Sequence, residues 1–212
     1  MNSSVLKAKK LTESSLAAAI SAILVLLKLI APFFVFITML ISPVPIAIIC
    51  AFSGMKWGIA TSVIVVLLVN LIGGPEIGLT TAFYAAALGL AMGYAFHKKW
   101  SYVKTLHITA LAYIIEMSYK IIFSIYILGI KDILTTSIER LVKIIKFIWI
   151  PLAQMTGFDP DPAKSVNTTS GIIAVTVIFI INAYCYAYFN QEIGREIYKK
   201  LKEALRLSLI HI

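Results

Sequence analysis

Charged side chains inside long apolar runs are where this sequence has the means to do chemistry, because each costs about 2.5–3.5 kcal/mol at the centre of a membrane helix unless it is paired or hydrated. Three stand out. Glu116 and Lys120 lie four residues apart, acid first, near the middle of one apolar run. On a helix they share a face, which allows either a pair neutralised within the helix or a contact to an ion or ligand in a cavity. Lys28 lies three residues before the end of the first run, about 4.5 Å of helical rise, so its ammonium can snorkel to the interface. Turned inward, it would suit an anionic group arriving from outside, together with Asn70 near the outer end of the third run. Asn182, with Tyr184 and Tyr188 on the last run, has two readings: it lines the same cavity, or it hydrogen-bonds a neighbouring helix.

Other chemistries are not signalled. There is no HExxH, no GxSxG, no P-loop and no pair of intramembrane aspartates, so no enzyme and no cofactor is expected. Cys50 and Cys185 sit in apolar runs without a CxxC or a histidine cluster and read as packing residues, with no metal. His97 and His107 flank a basic turn that has no carboxylate to orient them, and they read as interfacial side chains. Ala18 with Ala22, and Gly89 with Gly93, are small-xxx-small pairs that permit close helix contact, usually internal.

Helices must position these groups. Of 212 residues, 60% are apolar and 14% charged, far below the charge of about 25% in soluble domains. The apolar runs are unbroken rather than alternating, which selects helices over a membrane barrel. The expected spans are about 14–31, 43–54, 59–72, 77–96, 106–128 and 170–189. They are separated by Pro32, the Gly54–Gly58 turn, Gly73-Gly74-Pro75, His97-Lys98-Lys99 and a long loop. Residues 33–42 are apolar without loop character and suit a re-entrant or interfacial hairpin. Within the long loop, residues 133–155 show the apolar spacing of a helix lying on the membrane surface. The last six residues, 207–212, read as a non-native extension of the chain.

The net charge of +9 is spread between the spans rather than gathered on one face, which argues against nucleic acid. On one side lie Lys7, Lys9, Lys10, Lys56, Lys98, Lys99, Lys104, Arg195, Lys199, Lys200, Lys202 and Arg206, twelve cations in all. On the other lie five: Lys131, Arg140, Lys143, Lys146 and Lys164. The positive-inside rule then places both termini in the cytoplasm. The sequence predicts an all-α, polytopic bundle of about six transmembrane helices, multi-pass in the cell inner (cytoplasmic) membrane.

The Leu11-Thr12-Glu13 start of an alanine-rich first helix, Ser42-Pro43-Val44-Pro45, the Gly54–Gly58 turn and Gly73-Gly74-Pro75 recur in this order over about 80 residues. In these the chain resembles the YybS-like membrane proteins and, more distantly, the substrate-binding S components of energy-coupling-factor transporters. The resemblance implies a six-helix bundle that binds an unknown small-molecule ligand near its outer face. It also implies a transmembrane coupling subunit and cytoplasmic ATPases as partners, with Ala18 and Ala22 docking the coupling subunit. The long loop between spans five and six departs from the vitamin-binding members. The rival reading is a non-transporting scaffold or morphogenesis factor, recruiting proteins or anionic lipid through its basic tail.

Overall fold

The computed structural model describes residues 3–127, 129, 150 and 168–210, and these contain helices and no strand; the surface helix expected over 133–155 lies outside them. Helix α1 runs Ser3–Ile30, straight through the basic Lys7–Lys10 segment. Pro32–Phe34 forms a 3-10 turn, followed by α2 (Val35–Ile41) and α3 (Val44–Ser53). Helix α4 spans Met55–Gly73 and α5 Pro75–Thr81. A π-helical stretch, Ala82–Ala86, leads into α6 (Ala87–His97). Helix α7 is Tyr102–Tyr126 and α8 is Thr168–Ile210. Gly54 and Gly74 break the helices at φ 93° and 88°, left-handed conformations open to glycine at little cost. Pro75 opens the next helix where its missing N–H has no role.

Five helical segments among the described residues are long and apolar enough to cross a membrane: Ser4–Ile30, Pro32–Ser53, Met55–Gly73, Pro75–His97 and Tyr102–Tyr126. The second corrects the expectation of a hairpin over residues 33–42. Ser42 and Pro43 keep helical φ and ψ, so residues 32–53 form one span with a proline kink in place of a loop and a fresh helix start. The sixth expected span falls in α8, whose 43 residues extend about 65 Å at 1.5 Å each. That is twice the hydrocarbon thickness of about 30 Å.

The chain divides into two compact units, residues 1–117 with 183–212, and residues 118–182. In the first, Ala18, Ala22 and Val25 of α1 join Ile46 of α3, Val65 and Val69 of α4 and Leu88 of α6 in one buried cluster. Helix α6 approaches α3 through glycines. A β-carbon on Gly89 would stand 2.7 Å from the Pro43 carbonyl oxygen, and one on Gly93 2.6 Å from that of Ala47. These contacts are internal packing, the usual use of small-xxx-small pairs.

The segment expected as span six, about 170–189, is continuous with the basic tail in one helix, Thr168–Ile210. Ile193, Ile197 and Tyr198 pack on Val44, Ala47, Ala51, Met92 and Phe96. The Tyr198 ring lies 4.9 Å from Phe52 and 5.6 Å from Phe96. Asn190 and Gln191 are fully buried, and Gln191 donates to the Tyr102 carbonyl at 3.2 Å. Polar residues mark a helix leaving lipid only when its neighbours end at the same level. Here α3 and α6 continue alongside. In the second unit, the described side chains Ile122, Tyr126, Ile127, Val177 and Ile181 are exposed, as a lipid-facing surface requires.

Candidate functional site

The kink in the second span creates the chemistry at the middle of the first unit. Pro43 has no N–H, so the Met39 carbonyl loses its partner in the helical ladder. In an apolar medium such a group costs several kcal/mol unless something else satisfies it. Tyr186 of α8 does so, its hydroxyl donating to Met39 O at 2.6 Å. Because that hydroxyl has given its proton to a carbonyl, it must accept from Tyr84, 2.8 Å away. Tyr84 in turn accepts from Ser42 Oγ at 3.4 Å, and the Ser42 carbonyl takes the Ser21 hydroxyl at 2.7 Å. The Tyr113 ring stacks on Tyr186 at 4.3 Å with an interplanar angle of 29°.

Glu116, one turn beyond Tyr113 on α7, is fully buried. Tyr84 itself sits inside the π-helical stretch Ala82–Ala86, a distortion found frequently at functional sites. A proline kink, a π segment and a buried acid therefore meet around three tyrosines. Their hydroxyls and rings, with the carboxyl group, can hold a hydrogen-bond donor or a small cation.

Five described segments are thus long and apolar enough to cross a membrane, and the family comparison agrees: residues 19–209 match DUF2232, a family described as predicted membrane proteins. The chain belongs to that family. No curated protein and no solved structure matches it. As a member of DUF2232 it is an integral membrane protein in contact with the lipid bilayer; the finer transporter resemblance is not part of that match.

In this DUF2232 protein the five residues singled out for ligand binding have different surroundings. Glu116 lies in the tyrosine centre. Lys120 follows it by one turn on α7, is half-buried and belongs to the second unit, as does the exposed Asn182. Lys28 is half-buried and Asn70 exposed. Their helices meet at that end of the bundle, where Leu26 would stand 3.2 Å from a β-carbon on Gly73. Tyr184 faces another partner, His107, with its hydroxyl 2.8 Å from Nδ1. His97 Nδ1 donates to the Ala51 carbonyl at 2.9 Å, fastening the basic turn to the end of α3. Ala18 and Ala22 are buried against helices of this same chain.

Sequence reasoning missed Tyr84, Tyr113 and Tyr186. One signal was available, since a tyrosine in mid-span needs a hydrogen-bond partner for its hydroxyl. Among the described residues no three histidine, cysteine, aspartate or glutamate side chains gather to hold a metal ion.

Proposed function

We propose that this membrane protein is a substrate-recognition subunit for uptake of a small molecule, in the manner of an S component, and is not itself an enzyme. One observation carries the reading: Glu116 is fully buried in a span, one turn from Tyr113, whose ring stacks on Tyr186. An acid at that depth is retained at a cost of several kcal/mol. The adjoining rings and hydroxyls supply a surface for a solute bearing an ammonium or another hydrogen-bond donor. Energy would come from a separate coupling subunit and cytoplasmic ATPases, in the inner membrane. The face of α1 open to a partner carries Leu16, Ile20 and Ile23, so docking would use these before Ala18 and Ala22.

The test is to purify the full-length protein from its native membrane and identify the small molecules and proteins that accompany it by mass spectrometry. A stoichiometric solute, lost from Glu116→Gln, is the expected result. Recovery of no solute and no coupling subunit would refute the reading. The rival scaffold function is favoured by a different observation, the grouping of Lys99, Arg195, Lys199 and Lys202 where α6 ends beside α8, and recovery of envelope or division proteins would support it.

A further inference from the structure

A second region with unassigned chemistry lies where α6 ends and α8 passes it. A cavity of about 270 Å³ opens there, walled by Phe96, Trp100 and Tyr198 and lined by Lys99, Arg195, Lys199 and Lys202. No carboxylate is among the lining residues. Among the described residues none of the four cations is ion-paired; the pair found there is Lys9–Glu13, on α1. Positions 195, 199 and 202 recur at helical spacing, so three of the charges share one face of α8. The fourth comes from the opposite wall, on the turn that follows α6.

Two further details concern Arg195 and the end of α6. Arg195 is clamped between rings, its guanidinium carbon 4.8 Å from the Tyr102 centroid and 5.8 Å from that of Phe96. Yet its Nε is buried and donates to no group among the described residues, an unusual condition for a buried donor. Lysines near a helix C-terminus often cap the last carbonyls. Here those of Tyr94, Ala95 and Phe96 already accept from the amides of Lys98, Trp100 and Lys99. The Lys99 side chain is not needed for that role.

We propose that this cavity binds a phosphate group, carried on a molecule whose remainder lies against the aromatic walls. A guanidinium fork with three ammonium groups matches the several oxygens and the charge of a phosphate better than it matches a single carboxylate. The cavity adjoins the ends of membrane spans, so the phosphate comes either from a lipid headgroup or from a soluble phosphate ester. The inference stands apart from the recognition of solute at Glu116.

The experiment follows thermal unfolding of the full chain in detergent, titrated at fixed ionic strength with phosphatidylglycerol or with glycerol 3-phosphate. A saturable rise in midpoint is expected with at least one of them. Lipid alone assigns the headgroup, the soluble ester alone assigns a cytoplasmic metabolite, and both together assign the phosphate whatever carries it. Arg195→Gln and Lys99→Gly should each weaken the effective probe roughly tenfold, the loss typical of a charge-assisted hydrogen bond. Lys200→Gln makes the same change of charge on α8 outside the lining and should leave the affinity unaltered. Lys99→Gly removes a side chain from a left-handed position, φ 53°, and so keeps the fold intact. Saturation by neither probe, or equal weakening by Lys200→Gln, would overturn the proposal.

Discussion

The tyrosine centre and the basic cavity share α8, yet they treat polar groups in opposite ways. In the centre, Ser21, Ser42, Tyr84 and Tyr186 are joined to one another or to backbone carbonyls of the kinked span. At the basic end, four cations stand around an opening without an ion pair among the described residues. The medium explains the contrast. Surrounded by lipid, a hydroxyl must find its partner within the chain, whereas charges in reach of water can stay open for a partner from outside. The hydroxyls that satisfy one another hold the fold, leaving Glu116 and the ring faces for the proposed solute, and a region that leaves charge unanswered invites something to bind.

The most severe way to break the comparison is to part α6 from α3, which underlie both regions. Gly93→Val would force side-chain atoms against the Ala47 backbone and should destabilise by about 3 kcal/mol or more, seen as loss of monodisperse protein in detergent. Tyr186→Phe should remove about 1–3 kcal/mol by orphaning the Met39 carbonyl, with little effect on the basic cavity. Pro43→Ala restores an N–H for that carbonyl, so the double variant Tyr186→Phe/Pro43→Ala should be less destabilised than the sum of the two. Strict additivity in denaturant titrations would show that the kink and the tyrosine are unrelated. Between the regions, Asn190 is fully buried and its amide meets no hydrogen-bond partner among the described residues. Asn190→Leu, of similar size, should raise stability by about 1 kcal/mol. Lys99→Gly should give a smaller gain, under about 1 kcal/mol, because glycine takes the left-handed turn without penalty.

The helices themselves were legible in the sequence, since Gly54, Gly74 and Pro75 mark their ends and the apolar runs mark their bodies. The kink was not. Pro43 and Pro45 look the same whether they open a helix or bend one, and the group that makes the bend tolerable, Tyr186, lies 147 residues from Met39. The π-helical turn at Tyr84 leaves no local pattern either. Glu116 announced itself by its charge, but the company it keeps depends on how α6, α7 and α8 pack. The burial of Asn190 and Gln191 is likewise invisible in the sequence, because a polar pair after an apolar run has the same pattern whether or not neighbouring helices continue beside it.

The row of hydroxyls from Ser42 through Tyr84 to Tyr186 ends on the Met39 carbonyl, and a carbonyl has no proton to return. A proton wire works only if its links can swing round after each passage. These can do so only by leaving the Met39 carbonyl without its Tyr186 donor. The hydroxyl row is therefore a brace with a fixed polarity rather than a conduit for protons.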